Sequence, residues 1–312
     1  MKPTYPHQPV AKLDSLALAL GLTHSELIEL ASVANSMYFV TRVIEKPDGS
    51  KRITHDVKAR LKRVHERINS VFLKQVSYPS YLQGSLKGRD YLSNTKQHIN
   101  KHIIISEDIS NFYPSISNKV VHEVWVGCFG FSNEVASCLT ALVTHNGHLV
   151  QGGKTSSYIS NLVLWSRESK LVEELKRKGM TYTRYVDDVT VSSPRPLSKS
   201  EITNAISSVY GLFKTINVKP NRTKHEVMSK GKRQTVHRVN VSAGRPTFSK
   251  KERSKIKTAV FQCEQLFPKA STTQEYLSMY RSALGRVNTL ARLHKKEADS
   301  LKERLKAIQP FM

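Results

Sequence analysis

The chain has 312 residues, and its 49 Lys+Arg against 25 Asp+Glu give a formal net charge of +24 with histidine neutral. An excess of this sign argues against acidic calcium buffers and most small-metabolite enzymes, and it favours a polyanionic partner such as a nucleic acid. The 39% hydrophobic content is enough for ordinary cores. We therefore expect one large or two to three modest folded domains with cationic surfaces.

Neither a membrane segment nor a cysteine framework is indicated. No stretch approaches about 18 uninterrupted apolar residues, and the opening residues carry charges and prolines where a secretion signal needs an apolar core. The cysteines are Cys128, Cys138 and Cys263, an odd number without CxxC spacing. This pattern predicts no disulfide framework, no structural zinc site, no membrane partner, and a location in the reducing cytoplasm.

The N-terminal part of the chain shows first helical and then β-type patterning. Apolar residues recur at helical intervals over 10–37, with Gly21 interrupting the run and Thr23 placed to cap a second helix. Residues 38–57 alternate in character around Pro47-Asp48-Gly49, which predicts a β-hairpin with a basic, exposed tip.

Periodicity and turn residues divide the remaining chain into further elements. We predict helices at 57–76, 90–100, 118–127, 132–144, 156–178 and 199–214, strands at 102–109, 181–185, 189–193, 225–229 and 235–242, and a lysine-rich helical region from Ser249.

Two β segments about 80 residues apart end in acidic residues, at Asp108 and at the turn Asp187-Asp188. Unpaired carboxylates are costly to bury, so this placement suggests that a cation neutralises them. Phosphoryl-transfer sites hold two magnesium ions roughly 3.5–4 Å apart on oxygen ligands. We predict that Asp108 and Asp187 bridge such ions and that Asp188 supports them. Taken alone, the Asp pair also fits an ordinary hairpin turn, in which Asp is common.

The residues around these acids resemble the reverse transcriptase family. Tyr185-Val186-Asp187-Asp188 looks like its YxDD box, and Asp108 to Ser115 resembles its first palm motif. Leu149-Val150-Gln151-Gly152, with Thr155-Ser156 and Asn161-Leu162, resembles the box between them, although the usual proline before the glutamine is missing. The three boxes follow the family's order, and the resemblance extends from the hairpin to the C-terminal helices.

The resemblance implies an α+β right-hand polymerase fold. The implied divisions are an N-terminal helical region at 1–37, fingers at 38–101, a palm at 102–243 with an antiparallel sheet and interspersed fingers helices, and a helical thumb at 244–312. The implied activity is RNA-directed DNA synthesis, a nucleotidyl transfer that uses two Mg²⁺ ions, with Mn²⁺ as a substitute. The metal ligands would be Asp108, Asp187, Asp188 and the main chain of Ile109.

Matching to the family's boxes also assigns substrate-binding residues. Tyr113 would lie under the sugar and disfavour a 2′-hydroxyl on the incoming nucleotide, although a core aromatic is the alternative. Gln151 and Gly152 would line the nucleotide pocket, where glycine permits close backbone approach.

Three basic residues would approach the nucleotide's phosphates. Lys51 and Arg52, on the return strand of the hairpin, would reach the triphosphate; without the family context they fit a solvated face. Lys224, in a segment that resembles the N-x-x-K box, would approach the leaving pyrophosphate.

A narrower resemblance is to bacterial retron reverse transcriptases. Asn94-Thr95-Lys96-Gln97-His98 keeps the Asn and His of their NAxxH segment, with threonine in place of alanine. The retron V-T-G segment is replaced by Val236-His237-Arg238. The implied RNA-binding residues are Asn94, His98 and Arg238, the last through phosphate, while a helix-surface or capping role is the alternative for His98.

The lysine-rich C-terminal region offers a further nucleic-acid surface. Lys250, Lys251 and Lys255 form a cluster suited to a groove that follows the backbone of a template–primer duplex. The alternative is the solvated basic face of a helical bundle, and the two interpretations are compatible.

Membership of the retron group would add partners that the composition does not reveal. They are a structured noncoding RNA that serves as template and primer, its branched DNA product (msDNA), deoxynucleoside triphosphates, an effector protein encoded nearby in anti-phage defence, and a host RNase H that removes the template. Two other functions remain open. The first is a non-retron bacterial reverse transcriptase of the diversity-generating, intron-derived or other defence type, and the second is a catalytically idle RNA-binding scaffold.

Overall fold

The structure is a computed structural model that describes residues 1–46, 49–242 and 244–310. Its helices are α1 (Leu13–Leu20), α2 (His24–Val33), α3 (Ala59–Val71), α4 (Tyr91–Lys96), α5 (Phe112–Ser115), α6 (Asn118–Gly127), α7 (Asn133–Val143), α8 (Ser156–Leu162), α9 (Glu168–Arg177), α10 (Lys199–Lys214), α11 (Lys250–Ala270), α12 (Gln274–Ala291) and α13 (Lys295–Lys306). Its strands are β1 (Tyr38–Glu45), β2 (Lys51–Val57), β3 (Ile103–Asp108), β4 (Thr181–Tyr185), β5 (Asp188–Ser193), β6 (Glu226–Ser229), β7 (Thr235–Val236) and β8 (Val239–Asn240).

A four-stranded sheet in the order β4-β5-β3-β6 occupies the middle of the chain. β5 pairs antiparallel with both of its neighbours, β4 and β3. β3 is buried along nearly its whole length because three consecutive isoleucines, Ile103–Ile105, fill the core. Residues 81–83 extend the sheet at the free edge of β4 through backbone hydrogen bonds on both sides of Arg184.

The described residues form two compact units. The first contains residues 1–94 and 102–228, and the second contains residues 95–101 and 229–312. The predicted thumb boundary at 244 and the other predicted domain limits stay predictions. In this division residues 229–243 group with the C-terminal helices.

The N-terminal elements confirm the sequence prediction. Gly21 ends α1 in the left-handed conformation, at φ 71°, and Thr23 begins α2 with a capping box completed by Glu26. β1 and β2 form the predicted hairpin, with an irregularity in the register between Val40 and Arg42. The predicted turn residues Pro47 and Asp48 lie outside the described residues.

Some of the predicted elements are wrong in extent. The helix predicted over 90–100 is α4, which ends at Lys96. The helix predicted over 156–178 is two helices, α8 and α9, with a break at 163–167. At the break Trp165 packs against Gly127, where an added Cβ would lie 2.3 Å from the indole ring, and Glu168 turns into the interior. These tertiary contacts outweigh the continuous helical periodicity.

The strand predicted over 235–242 is instead the short hairpin β7–β8. His237 and Arg238 form its turn with φ of 51° and 65°, both in the left-handed region. A two-residue turn of this kind needs positive φ at both central positions, which Asn-Gly usually provides. The sequence therefore gave no turn signal here.

The second unit packs three helices around its own apolar core. Val260 of α11, Val287 of α12 and Leu301 of α13 are among its buried residues. The Tyr276 hydroxyl, itself buried, donates to the carbonyl of Ile308 at 2.5 Å. In the same unit Thr95 donates its hydroxyl to the carbonyl of Val236, which joins residues 95–101 to β7.

Among the described residues, no single helix is long and apolar enough to cross a bilayer. The segments Leu13–Leu20 and His24–Met37, which meet at 86°, reach that length and apolar composition only when they are taken together.

Because His98 is buried, we expect the second unit to lose folding stability in acid. Burial, reinforced by the positive charges of Lys101 and His237, lowers the pKa of His98 to about 3. Below about pH 6.5 the His98 side chain therefore binds a proton in the unfolded chain but not in the folded chain. The free energy of unfolding is consequently highest above that pH and falls as the pH drops towards 3.

We expect the wild-type protein to lose about 2 kcal/mol more than a His98→Gln variant between pH 7 and pH 5, because glutamine does not titrate. Urea unfolding at the two pH values measures the difference. His7→Gln, at an exposed histidine, is the control and should follow the wild type. An identical pH dependence in His98→Gln and the wild type would contradict the prediction.

Candidate active site

Carboxylates from two central strands meet at one end of the sheet. Asp108 is the last residue of β3 and pairs in register with Asp188, the first residue of β5. Directly opposed residues on antiparallel strands have Cβ atoms about 4.5–5.5 Å apart. The structure thus makes neighbours of two residues that are 80 positions apart in the sequence.

Asp187 joins this pair through the turn between β4 and β5. Its carbonyl accepts a hydrogen bond from the Ile109 amide at 3.2 Å, and Val186 before it has a φ of 61°. A left-handed valine is strained, which indicates that surrounding contacts hold the turn. Burial, together with the negative charges of Asp188 and Asp108, raises the pKa of Asp187 to about 6.

Two nitrogen donors approach the carboxylate of Asp108. The Lys224 ammonium donates to Oδ1 at 2.8 Å and the Asn221 side-chain amide donates to Oδ2 at 3.1 Å. The pKa of Asp108 is nevertheless raised, because burial outweighs the effect of Lys224 and because Asp188 repels its charged form. The Asp108 carboxylate in turn raises the pKa of Lys224 against the opposing effect of its partial burial.

The donor set suits a hard divalent cation. Asp108, Asp187 and Asp188 supply carboxylate oxygens, which Mg²⁺ and Ca²⁺ prefer. The Lys224 ammonium already places one positive charge among them. Across the described ranges, no three His, Cys, Asp or Glu side chains are arranged to share one ion; the oxygens of Asp108 face the two nitrogen donors instead.

A buried ion pair stabilises the backbone of the acidic turn. Arg184 of β4 and Glu168 of α9 are both fully buried and form two hydrogen bonds, at 2.6 and 2.9 Å. Arg184 also donates to the carbonyl of Val186 at 3.0 Å, and the Tyr182 hydroxyl donates to Glu168 at 2.8 Å. The guanidinium therefore fixes the carbonyl of the strained residue just before Asp187.

Gly84 leaves the space that the turn requires. A Cβ added there would lie 2.6 Å from the amide nitrogen of Val186 and 2.6 Å from its side chain. The carbonyl of Gly84 accepts a hydrogen bond from Asn161 of α8 at 2.8 Å. Any larger residue at 84 would displace the turn that carries Asp187.

The predicted nucleotide loop contacts the hairpin through main-chain atoms. The amide of His55 in β2 donates to the carbonyl of Gln151 at 2.8 Å. Gly152 has a φ of 96°, and a Cβ there would lie 2.6 Å from the carbonyl oxygen of His55. Lys51 and Arg52 lie exposed at the other end of β2, so the structure brings the loop and the hairpin together without placing either basic side chain on the loop.

Tyr113 lies in α5, immediately after the Asp108 strand. It is half-buried, and the side chain of Ser160 in α8 is close enough to influence its pKa. Burial raises its pKa, and the nearby Asp187 acts in the same direction. The predicted sugar-contacting aromatic is therefore close to the acidic turn.

The predicted RNA-binding residues divide into buried and exposed ones. Asn94 and His98 are fully buried, so the structure does not place either side chain where RNA could reach it. The sequence pattern did not predict this burial, because both residues are polar. Arg238 is exposed at the tip of the β7–β8 turn.

The lysine cluster of α11 lines an open groove of about 660 Å³. Lys250, Lys251 and Lys255 are joined there by Arg286 of α12. The sequence did not place Arg286 with this cluster, because its position depends on how α12 packs against α11.

Sequence reasoning missed several residues that position the site. Asn221, the asparagine of the segment that resembles the N-x-x-K box, was assigned no role, and it contacts Asp108 directly. Glu107, which precedes Asp108, is held by Tyr210 and His225 at 3.0 and 2.6 Å. A charged residue within an apolar strand was the available signal for a buried partner network.

The chain is similar to known sequences over most of its length. Residues 44–278 match the family described as "Reverse transcriptase (RNA-dependent DNA polymerase)". "Retron Se72 reverse transcriptase" of Salmonella heidelberg is 34% identical over 312 residues, which cover 99% of this chain and 82% of that protein. "Retron Ec48 reverse transcriptase" of Escherichia coli is 30% identical, with 97% of this chain and 77% of that protein covered.

Solved structures of telomerase are also similar to the chain. Apo telomerase from Candida tropicalis, truncated from its C-terminal domain, has a TM-score of 0.46 and 12% identity, and covers 73% of this chain and 61% of its own. Telomerase from Candida albicans has a TM-score of 0.44 and 11% identity, and covers 81% of this chain and 49% of its own. Both TM-scores are below 0.5.

We expect the buried Arg184–Glu168 ion pair to contribute strongly to the free energy of unfolding. Glu168→Ala leaves the Arg184 guanidinium buried without its carboxylate, and we expect a loss of about 3–5 kcal/mol in the free energy of unfolding, measured in urea. Glu29→Ala is the control, since it removes the carboxylate of the exposed Arg60–Glu29 pair and should change stability little. Equal stability of the two variants would contradict a supporting role for Glu168.

Proposed function

Because the chain belongs to the reverse transcriptase family, and within it to the retron reverse transcriptases, we propose that it copies a structured noncoding RNA into DNA that stays joined to that RNA as a branched or covalently linked hybrid. Membership of the family makes it an RNA-directed DNA polymerase with an α+β right-hand polymerase fold, which uses an RNA template and deoxynucleoside triphosphates.

The observation that carries the catalytic assignment is the register of β3 against β5. It brings Asp108 opposite Asp188, and the adjoining turn adds Asp187. We assign these three residues as the catalytic carboxylates. No ordinary surface turn needs three neighbouring acids whose charged forms disfavour one another through burial and repulsion.

Reverse transcriptases use divalent metal ions, and for this chain we assign Mg²⁺, with Mn²⁺ as a substitute. Asp108, Asp187, Asp188 and the main chain of Ile109 would hold two ions. When bound, such ions lower the pKa of an attacking hydroxyl and stabilise the charge on the phosphates.

Lys224 occupies the place of a counter-charge beside these acids. Its ammonium contacts Asp108, while 58% of its side chain is exposed. In our proposal this lysine leaves Asp108 when the nucleotide binds and stabilises the leaving pyrophosphate as a charge-assisted donor.

Tyr113 orients the sugar of the incoming nucleotide in this proposal. Its half-buried ring packs against the core and lies near Asp187 of the acidic turn. A packed ring next to the reacting groups would exclude a 2′-hydroxyl by contact, which selects deoxynucleotides.

The loop of Gln151 and Gly152 would form the wall of the nucleotide pocket. Its backbone bond to His55 supports this proposal, because it connects the pocket to the hairpin that carries Lys51 and Arg52. These two basic residues are exposed and would bind the β- and γ-phosphates.

Exposed cations of the second unit would bind the RNA and its DNA copy. Arg238 and the groove lined by Lys250, Lys251 and Lys255 support this assignment through their exposure and charge. Asn94 and His98 would act on RNA binding only indirectly, by shaping the segment in which they are buried.

The wider biological proposal follows from retron membership. The polymerase would act in the cytoplasm, where its free Cys128, Cys138 and Cys263 stay reduced, together with an effector protein encoded nearby, in anti-phage defence. A host RNase H would remove the copied template and leave msDNA.

The catalytic assignment predicts the behaviour of an Asp187→Asn, Asp188→Asn double variant. We expect extension of a DNA primer on an RNA template with Mg²⁺ to fall on the order of a thousandfold or more, since amides hold divalent cations poorly. The same variant should be at least as stable as the wild type, because repulsion among the acids is relieved.

Asp299→Asn, at an exposed acid of α13, is the matched control and should extend the primer at the wild-type rate. The catalytic proposal fails if the double variant and the wild type extend the primer equally with either Mg²⁺ or Mn²⁺. It also fails if the wild type extends no primed RNA template with either ion.

The sugar-contacting role of Tyr113 predicts a change in nucleotide selection. Tyr113→Ala should raise ribonucleotide incorporation relative to deoxyribonucleotide by about tenfold or more, which corresponds to about 1.4 kcal/mol. Tyr113→Phe keeps the ring and is expected to retain the wild-type ratio. Single-nucleotide incorporation with each sugar measures the effect, and an unchanged ratio in Tyr113→Ala would assign the ring to packing alone.

A further inference from the structure

A second groove, of about 520 Å³, lies in the first unit and contains none of the predicted site residues. Buried Val76 and Leu86 form its apolar part, and Tyr78 and Tyr158 contribute aromatic rings. Its volume falls within the range of about 300–1,000 Å³ that is typical of ligand pockets. The groove therefore has the size and the apolar surface to hold a flat ring.

Two lysines give the groove a net positive charge. Lys74 and Lys87 line it and are both exposed. In the part of the chain that the structure describes, neither ammonium group forms an ion pair, whereas the first unit's Lys62 and Lys154 each have a carboxylate partner. The positive charge of the groove is therefore available to an anionic ligand.

The aromatic rings are held in place by their neighbours. The Tyr78 hydroxyl donates to the carbonyl of Leu73 at 2.9 Å, and its ring centroid lies 6.4 Å from that of Tyr158 at an interplanar angle of 45°. Tyr158 is half-buried in α8. Rings fixed in this way can stack on a base with little loss of side-chain entropy.

Arg89 forms part of the groove wall. Because its guanidinium is already bonded to the main chain, we assign ligand binding to the lysines. Its guanidinium donates to the carbonyls of Tyr78, Pro79 and Leu82. Gly88 next to it has a φ of 75°, which turns the chain back towards those carbonyls. The wall is thus built before any ligand arrives.

The same elements reach the active site. The α8 helix that carries Tyr158 also carries Asn161, whose side-chain amide donates to the carbonyl of Gly84 at 2.8 Å. Residues 81–83, between the two sides of the groove, pair with β4 beside Arg184, and Gly84 packs on Val186. A strand held in the groove would therefore lie on the elements that position the catalytic turn.

We propose that this groove binds an unpaired stretch of an RNA strand, with phosphates at Lys74 and Lys87 and a base stacked on Tyr158. Cations beside aromatic faces are the combination that binds single-stranded nucleic acid without reading its sequence. An acidic peptide would match the charge and leave the rings without stacking partners. The assignment rests on the proposed function for the choice of RNA as the polyanion.

The experiment measures binding of a fluorescein-labelled, unstructured oligouridine by anisotropy over a series of salt concentrations. The Lys74→Gln, Lys87→Gln double variant should lower the slope of log K against log salt by about 1.4, since each single-strand phosphate contact contributes about 0.7. Tyr158→Leu should weaken binding about fivefold or more without changing the slope, because stacking is not ionic.

The matched control is Lys176→Gln, Lys178→Gln, which removes two exposed lysines of the same unit outside the groove and should leave the slope unchanged. Oligouridine that carries 4-thiouridine should crosslink to the peptide containing Tyr158. Groove variants that match the control in both slope and affinity would overturn the proposal. So would displacement of the RNA by adenosine monophosphate or polyglutamate as effective as that by unlabelled oligouridine.

Primer extension on the same preparations separates this proposal from the proposed function. A wild type that synthesises DNA while the groove variants bind RNA normally would refute the groove alone. A wild type without synthesis whose RNA binding depends on Lys74, Lys87 and Tyr158 would refute the polymerase assignment and keep the groove.

Discussion

The mutual repulsion of buried carboxylates is the constraint around which this molecule is organised. The register of β3 and β5 places Asp108 opposite Asp188 at a partly desolvated strand end, and Asp187 adds a third negative charge. Such an arrangement costs several kcal/mol unless positive charge is supplied. Within the chain Lys224 supplies one positive charge, and Asn221 adds a hydrogen bond to Asp108. The acids can therefore stay together for their chemical role without making the fold depend wholly on bound ions.

A second set of interactions keeps the acidic turn in a strained shape. Val186 has a positive φ that valine rarely adopts. The buried Arg184 holds its carbonyl, Glu168 neutralises Arg184, and Gly84 leaves room for its backbone. None of these residues touches a reacting atom in our proposal. They show that specific contacts around the turn compensate for the backbone strain at Val186.

The sequence predicted the parts of the fold that follow local rules. The apolar run of β3, the hairpin of β1 and β2, and the capped start of α2 were visible because periodicity and turn residues determine them. The acidic strand ends and the family's boxes predicted that Asp108, Asp187 and Asp188 converge, but the direct pairing of Asp108 with Asp188 is seen only in the sheet.

The features that sequence reasoning missed depend on distant partners. Glu168 reads as a polar residue within a helix until Arg184, sixteen positions later, is seen beside it. The turn at His237 and Arg238 lacks the glycine or asparagine that marks such turns. His98 reads as a surface residue because its polarity says nothing of the residues that enclose it.

The link between β2 and the nucleotide loop is made by main-chain atoms, the amide of His55 and the carbonyl of Gln151. Such a bond does not depend on which side chains the two positions carry. It is sensitive to chain length, because one residue inserted between the tip and His55 would reverse the faces of the strand. At this junction, related sequences should therefore differ by amino-acid substitution. Insertions and deletions should occur mainly at the hairpin tip.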